Sequence, residues 1–180
     1  MMKKLVALVL ACLVLVSATA CLAVDTTAAD GGWTASNWAK EEVSQADAAG
    51  LLPDLLAKAD LTRPITRLEY AHAIIALYTA RTGEDPTVQD SRNIAFPDCN
   101  DPMVRAADRL GLIAGFPDGT FRPDELLTRE QAAVLLDRVL DATKGALLID
   151  GLYSWSDSGK IGSWAAASVE TLAKGGVIQG

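Results

Sequence analysis

The stretch Gly111–Leu140, with the sequence GLIAGFPDGTFRPDELLTREQAAVLLDRVL, decides the fold of this chain. Gly111 stands where a preceding helix should end, because glycine enters the left-handed conformation at a C-terminal cap without a Cβ clash. The tripeptide Pro117-Asp118-Gly119 then predicts a tight turn, since proline presets φ, aspartate bonds the nearby backbone and glycine accepts a positive φ. The stretch therefore begins with a helix end and a turn.

A second helix is predicted to follow this turn. Pro123 disfavours a helical conformation at Arg122, so the segment between the turn and the helix should be extended. Thr128 and Gln131 have the spacing of a capping box, in which two side chains satisfy each other's backbone N–H groups. The helix that starts at Arg129 carries a broad apolar face, so we expect it to be buried over much of its circumference.

Parts of this stretch recur on both sides of it, which is typical of a repeat protein. A valine lies seven residues before each of three glycines, and the pairs are Val43 with Gly50, Val104 with Gly111, and Val169 with Gly176. The period is 61 residues between the first two units and 65 between the second and the third. We therefore divide the chain into repeat 1 at 33–82, a linker at 83–95, repeat 2 at 96–145 and repeat 3 at 146–180.

The three repeats are not equally complete. Repeat 1 has the helix start ITRLE, with Thr66 and Glu69 as a full capping box, but it lacks the GFPDGTF turn. Repeat 3 has only the first half of the unit. The first helix of each repeat is predicted to begin behind its own cap: Ser36 or Asn37 before a helix from Trp38, Asp101 before Pro102, and Ser163 before a helix from Trp164.

The first 20 residues have the pattern of a secretory signal peptide. Two lysines precede a 12-residue apolar run at 5–16, which is shorter than a transmembrane helix needs. Two processing routes remain open. Cleavage after Ala20 would release a soluble protein, whereas Cys21 resembles the lipidated cysteine of a bacterial lipobox, although Ala18 stands where leucine is usual. Residues 21–32 would then form a short tether.

The charge and the cysteines exclude two classes of protein. The chain has a formal net charge of −7, and removal of the signal peptide with its two lysines makes it −9. Such an acidic chain is a poor partner for nucleic acid, because phosphate backbones are bound by clustered Lys and Arg. Cys12 leaves with the signal peptide and Cys21 lies at the cleavage point, so Cys99 has no evident partner for a disulfide.

No enzymatic chemistry is indicated. His72 is the only histidine, and its counterpart in repeat 2 is Val134, so we expect a satisfied, partly buried histidine rather than a catalyst. The aspartates lie scattered at turns and caps and do not match a calcium loop such as D-x-D-x-D-G. We therefore expect neither a metal ion nor another cofactor.

The motifs of repeats 1 and 2 resemble those of the S-layer homology family, in which G-[FY]-P-D-G-T-F-x-P is followed by I-T-R-x-E. Repeat 2 carries GFPDGTFRP and LTREQ, and repeat 1 carries ITRLE. The resemblance extends over residues 33–180. It implies a mainly α-helical fold, in which three repeats form a pseudo-threefold prism around a central bundle of the TRxE helices. It also implies that grooves between repeats bind a secondary cell-wall polysaccharide, often a pyruvylated glycan.

The same resemblance assigns glycan binding to four residues. Arg67 and Arg129 match the TRxE arginine, and Trp38 and Trp164 match aromatic residues near the start of the first helix. An arginine offers a planar donor fork to a carboxylate, a helix N-terminus adds free N–H groups, and a tryptophan can pack on a sugar ring. The simpler alternatives are that the arginines are surface residues of a first helical turn and that the tryptophans are core or rim anchors.

Three departures from the family pattern bear on this prediction. Gln131 replaces the usual glutamate, although it can still complete the cap. Cys99 stands in repeat 2 at the position of Trp38 and Trp164 in the other repeats. The third TRxE helix is missing, so we expect either a fragment of a longer protein or another segment or chain that supplies the helix.

Together these features predict non-catalytic anchoring at the cell wall or cell surface of a bacterium, with the secondary cell-wall polysaccharide as the partner. The alternative is a structural or protein-interaction module whose degenerate repeats no longer bind glycan. In that interpretation a lipid on Cys21 would do the anchoring. Without that lipid, the protein would meet a membrane only through its signal peptide.

Overall fold

The computed structural model describes residues 32–88, 96–145, 147 and 158–178. Its helices are α1 (Lys40–Ala48), α2 (Arg67–Thr82), α3 (Pro102–Arg109), α4 (Arg129–Ala142), a 3₁₀ turn η1 (Ser158–Lys160) and α5 (Ala166–Lys174). Extended segments within the described part of the chain make only isolated β-bridges. The predicted mainly α-helical fold is therefore confirmed for these residues. The signal peptide, Cys21 and all but the last residue of the tether lie outside them, as does most of the segment that opens repeat 3.

Each short first helix ends at a glycine in the left-handed conformation. The φ angles are 69° at Gly50, 71° at Gly111 and 71° at Gly176. After each glycine the next N–H bonds back to a carbonyl of the last helical turn, from Leu51 to Ala46, Leu112 to Ala107 and Val177 to Leu172. This is the Schellman pattern, which satisfies the last carbonyls of a helix and reverses the chain. The same geometry at all three positions shows that the short sequence match reflects a structural repeat.

The two long helices, α2 and α4, begin with capping boxes. Thr66 accepts the Glu69 N–H and Glu69 accepts the Thr66 N–H at the start of α2, and Thr128 and Gln131 do the same at α4. At α3 the Asp101 carboxylate accepts hydrogen bonds from the N–H groups of Met103 and Val104 at 2.8 and 3.1 Å. Pro102, between the cap and these residues, is the first residue of the helix. Each of these starts is set by residues within one helical turn.

The predicted starts of α1 and α5 were wrong by two residues. We expected Ser36 or Asn37 to cap a helix from Trp38, and Ser163 to cap one from Trp164. Instead α1 begins at Lys40 and α5 at Ala166, and neither N-cap makes a side-chain hydrogen bond. In both cases a tight turn comes first, closed by an N–H bond to the carbonyl three residues earlier, from Ala39 to Ser36 and from Ala165 to Gly162. Regular α-helical bonding starts only after this turn.

The segment before α4 also differs from the prediction at one residue. Arg122 has φ of 56°, in the left-handed region, and is not extended. Its N–H and that of Phe121 both bond the Asp98 carboxylate, at 2.7 and 2.8 Å. These two bonds to one carboxylate hold a conformation that Pro123 alone would not select.

The helices α2 and α4 lie side by side and parallel. Near their starts, the Tyr70 hydroxyl donates to the Ala132 carbonyl at 2.7 Å. Near their ends, the Arg81 Nε donates to the Thr143 hydroxyl at 2.7 Å. Both pairs are 62 residues apart in sequence, so the two helices pack in the register of the repeat. The short helix of the next repeat packs on each, α3 on α2 and α5 on α4.

Candidate functional site

The first turn of α2 is covered by the segment 113–127 of repeat 2, and we call this contact the first junction. The N–H groups of Arg67 and Leu68 donate to the carbonyls of Glu125 and Pro123 at 2.9 and 3.0 Å. In return the Leu127 N–H donates to the Ile65 carbonyl at 3.1 Å. The free N–H groups that we expected at this helix N-terminus are therefore occupied within the chain.

The Arg67 side chain is part of the same contact. Its Nε donates to the Phe121 carbonyl at 2.7 Å, and its Nη2 donates to the Ala114 carbonyl at 3.0 Å. The guanidinium carbon lies 4.7 Å from the ring centroids of both Phe116 and Phe121, which is cation–π distance. Burial lowers the pKa of Arg67, although arginine stays charged at any physiological pH. Arg67 thus joins repeat 1 to the GFPDGTF turn of repeat 2.

The cleft beside Arg67 is small. It is lined by Arg67, Ile113, Ala114, Phe121, Leu127 and Leu135, and the space in it that a water-sized sphere can occupy is about 10 Å³. That volume has room for about one water molecule. The apolar lining and the small size make this cleft part of the packing between repeats.

The GFPDGTF turn of repeat 2 is held by its own aspartate. Asp118 accepts the Thr120 hydroxyl and N–H at 2.6 and 3.0 Å, and it pairs with Arg122 at 2.9 Å. These bonds, from the Thr120 hydroxyl first, hold the pKa of Asp118 far below its ordinary value. The Arg122 guanidinium carbon lies 3.9 Å from the centroid of Phe116. Gly119 has φ of 82° and donates to the Phe116 carbonyl, so the turn needs glycine there.

Repeat 1 has a counterpart of this turn that the sequence pattern did not show. Asp60 accepts the Thr62 hydroxyl and N–H at 2.7 and 2.9 Å, as Asp118 does with Thr120. The sequence Asp60-Leu61-Thr62 keeps the two polar residues of Asp-Gly-Thr but not its glycine. The D-x-T pair was the available signal, but it lies six residues before the cap Thr66, whereas Asp118 lies ten residues before Thr128.

Two further polar residues were missed in the sequence. Arg63 forms a two-armed ion pair with Glu69, in which Nη1 donates to Oε2 at 2.9 Å and Nη2 donates to Oε1. Burial raises the pKa of Glu69, but the bonds from Arg63 and from the Thr66 N–H outweigh it, so the net shift is downward. Asp98 accepts the Phe121 N–H and the Arg122 N–H, and these bonds lower its pKa. The FPD motif at 96–98 recurs as WSD at 155–157, so the sequence indicated that this aspartate is part of the repeat. It did not indicate which groups the aspartate would bond.

The first turn of α4 meets repeat 3, and we call this contact the second junction. The Gly162 N–H donates to the Glu130 Oε1 at 2.9 Å. The Trp164 indole lies directly against Gly162, where a Cβ would come within 2.4 Å of the indole nitrogen. Trp164 is 59% exposed. The second junction therefore bonds the residue that follows Arg129 to Gly162, on which the exposed tryptophan packs, and Arg129 itself is partly buried.

The structure does not bring all four predicted glycan-binding residues together. Trp38 lies in the turn before α1 and is 48% exposed, and no hydrogen bond or ring contact joins it to Arg67. Neither Trp38 nor Trp164 belongs to the core, so of the alternative roles a rim anchor remains for both. Arg67 and Trp164 lie at different junctions. Only Trp164 and Arg129 share one.

The other residues considered for a chemical role, His72 and Cys99, have structural surroundings that explain them. His72 on α2 lies 3.1 Å from the Asp101 carboxylate at the start of α3, as expected of a satisfied histidine. Cys99 is buried, and burial raises the pKa of its thiol, which disfavours the reactive thiolate. Within the ranges that the structure describes, no group of three or more His, Cys, Asp or Glu side chains could hold a metal ion. In those same ranges, none of the helices has the length and apolar character of a membrane span.

Comparison with known proteins confirms the resemblance predicted from the sequence. Residues 103–133 match the S-layer homology domain. This span runs from α3 through the GFPDGTF turn to the first turn of α4. No solved structure matches the chain.

Three curated proteins illustrate what the chain is similar to. Cell surface glycoprotein 1 of Acetivibrio thermocellus is 30% identical over 117 residues, 59% of this chain and 5% of that protein. Outer membrane protein SlpA of Thermus thermophilus is 50% identical over 48 residues, 27% of this chain and 5% of that protein. A cellulosome-anchoring protein of A. thermocellus is 26% identical over 126 residues, 67% of this chain and 28% of that protein. The chain thus spans only a small part of each relative's length.

Proposed function

We propose that this chain, whose residues 103–133 match the S-layer homology domain, is a non-catalytic anchor at the bacterial cell surface that binds a cell-wall polysaccharide. The similarity to a cell surface glycoprotein and to a cellulosome-anchoring protein supports the class of function. The repeat geometry supports it as well, because α2 and α4 pack parallel in repeat register. A third equivalent helix beside them would complete the pseudo-threefold prism.

The observation that carries the proposal is the exposed tryptophan at the second junction. Trp164 is 59% exposed, and its indole offers a flat apolar face with a polar N–H at its edge. Its indole packs against Gly162, and the Gly162 N–H bonds the Glu130 side chain in the first turn of α4. A flat exposed ring suits the apolar face of a sugar, and a nearby arginine suits a carboxylate. The ligand in this proposal is an acidic, pyruvylated glycan.

A second candidate is a structural or protein-interaction module, which one observation favours. Arg67, a predicted glycan ligand, already donates two hydrogen bonds to carbonyls of repeat 2. If the second junction were equally occupied in the assembled protein, no glycan site would remain. In that case attachment of the protein to the cell surface would depend on another anchor, such as a lipid on Cys21. Detergent-phase partitioning that disappears in Cys21→Ala would identify the lipid anchor.

Co-sedimentation of the purified chain with cell-wall sacculi tests the leading proposal. The sacculi are used before and after chemical removal of their secondary polysaccharide. We expect binding to the intact walls and its loss once the polymer is removed. Binding that survives removal of the polymer, or no binding to either preparation, would contradict the proposal.

Two variants of one helix separate a specific arginine from general charge. Arg129→Ala should weaken co-sedimentation by about tenfold, the loss expected for one charged hydrogen-bonded contact. Arg138→Ala on the exposed side of α4 removes the same charge nine residues later and should bind as the wild type does. Equal losses in both variants would point to non-specific electrostatics.

A further inference from the structure

The two repeat junctions differ in what they leave available to a ligand. We infer that the first junction is a closed structural contact in which Arg67 is a positioning residue, and that, of these two junctions, only the second takes part in polysaccharide recognition. The part about recognition rests on the proposed function. The part about Arg67 does not, because it concerns the fold alone.

The donors at the first junction are fully used. At the start of α2, the N–H of Thr66 bonds the Glu69 carboxylate and that of Glu69 bonds the Thr66 hydroxyl. The two N–H groups between them bond the carbonyls of Glu125 and Pro123. All N–H groups that a helix start normally leaves free are therefore satisfied by the chain itself.

The Arg67 guanidinium is likewise hydrogen-bonded within the chain. It bonds the carbonyls of Ala114 and Phe121, which lie 47 and 54 residues away in sequence, and it packs on two phenylalanine rings. A glycan carboxylate could use the donor fork only after breaking these two bonds. Breaking them would expose two carbonyls and detach repeat 2 from α2. The contacts indicate that Arg67 holds the GFPDGTF turn in place.

The space at the first junction agrees with this assignment. The Phe96 ring lies so close to Gly115 that a Cβ there would come within 2.5 Å of it, so the turn is closely packed. The residue that replaces the tryptophan in repeat 2, Cys99, is 8% exposed and offers no surface for a sugar ring. The first junction thus lacks a free N–H donor on the first turn of α2, a cavity larger than about one water molecule and an exposed tryptophan.

The second junction has the platform that the first one lacks. Trp164 stands at the sequence offset of Cys99 and is 59% exposed. Its ring is held against Gly162, and Gly162 is itself held by Glu130. Glu130 corresponds to Leu68 in repeat 1, so this polar link is particular to the second junction. A ring that already packs on the backbone at Gly162 loses less conformational entropy on binding a sugar than a ring without contacts.

Two measurements on the purified chain test the inference. The first is hydrogen exchange of the amides of Arg67, Leu68 and Leu127, which form the backbone bonds of the first junction. The second is the dissociation constant for sacculi that carry the polysaccharide. Arg67→Lys keeps the charge but cannot bond both carbonyls in the same planar geometry. Trp164→Ala removes the platform.

For Arg67→Lys we expect exchange of these amides to accelerate about tenfold or more, because the junction opens more often, while wall binding changes less than about twofold. For Trp164→Ala we expect unchanged exchange at these amides and wall binding at least about fivefold weaker. If Arg67→Lys does not fold, Phe116→Leu serves instead, since it removes one ring from the guanidinium and keeps an apolar side chain. It should accelerate exchange in the same amides.

The opposite pattern would overturn the inference. It is wrong if Arg67→Lys leaves exchange unchanged yet abolishes wall binding, because Arg67 would then contact the ligand. It is also wrong if Trp164→Ala binds walls as tightly as the wild type. A wild-type chain that binds no wall at all refutes the proposed function and the assignment of recognition to the second junction. The exchange result still decides the role of Arg67 in that case.

Discussion

The ion pair between Arg63 and Glu69 gives the sharpest test of how repeat 1 is stabilised, through the substitution Glu69→Gln. A glutamine can keep the capping box, because Gln131 does so at the matching position of α4. It cannot keep both bonds to Arg63, since the amide offers one oxygen where the carboxylate offers two. The substitution therefore removes the charge and one arm of the pair while it leaves the helix cap in place.

The expected loss in the free energy of unfolding follows from the geometry of the Arg63–Glu69 ion pair. Opposite unit charges about 4 Å apart attract by about 4 kcal/mol at an effective dielectric constant of about 20. Desolvation of the buried carboxylate opposes this attraction, and the Arg63 side chain is 42% exposed, so solvent screens it further. We expect Glu69→Gln to lower the free energy of unfolding by about 1–2 kcal/mol at neutral pH.

The effect should depend on pH in a defined direction. The pKa of Glu69 is lower in the folded chain than in the unfolded one. A depressed carboxyl pKa stabilises the fold fully above the unfolded value of about 4.3, and the stabilisation is lost as the pH falls through the folded value. The difference between wild type and Glu69→Gln should therefore be largest near pH 7 and should shrink in acid.

Urea unfolding followed by far-UV circular dichroism between about pH 7 and about pH 3 measures this difference. The matched control is Gln131→Glu, which adds a carboxylate at the same helical position of α4, where the described side-chain bonds are those of the cap alone. It should be neutral or stabilising by up to about 1 kcal/mol through the helix dipole. A Glu69→Gln difference that is absent at pH 7, or equal at both pH values, would refute the reasoning.

Three other substitutions in repeat 2, with one control in repeat 3, are tested by thermal unfolding. Gly115→Ala should destabilise by about 1–3 kcal/mol, because its Cβ would come within 2.5 Å of the Phe96 ring, and an unchanged melting temperature would contradict this. Gly111→Ala should cost about 1–2 kcal/mol at its φ of 71°, whereas Gly159→Ala, with open space and no positive φ, should cost little. Asp98→Asn should lower the melting temperature at neutral pH and approach the wild type in acid, because the depressed carboxyl pKa contributes stability only above its ordinary range. A constant difference across pH would mean that the charge of Asp98 is irrelevant.

Features that depend on a few neighbouring residues were predictable. The helix ends at Gly50, Gly111 and Gly176 follow from the conformational freedom of glycine, and the register of the repeats could be read from them. The starts of α1 and α5 were misplaced for an equally local reason. A serine or asparagine side chain can cap a helix but need not do so. Here a tight turn precedes each helix instead, closed by the Ala39 N–H before α1 and by the Ala165 N–H before α5.

The candidate site was predictable only as a list of residues. The sequence motif selects Arg67 and Arg129 alike, and Trp38 and Trp164 alike, because equivalent positions in a repeat look the same in one dimension. Exposure and partners are set by what packs against each copy. In the first junction repeat 2 covers the TRxE arginine, Arg67. In the second junction an exposed tryptophan packs on Gly162, which bonds the first turn of α4.

The sequence by itself determined the repeat, the helical class, the caps of α2, α3 and α4 and the GFPDGTF turn, because each depends on contacts within about one helical turn or one tight turn. The tertiary structure alone decided that α2 and α4 lie parallel, that Asp98 holds Arg122 in a left-handed conformation, and that Arg67 bonds carbonyls 47 and 54 residues away. Such contacts join groups that are distant in sequence. The residues next to a hydrogen-bond donor in the sequence do not indicate which distant acceptor it will bond. The difference between the two junctions is therefore a property of the fold, even though both were built from the same motif.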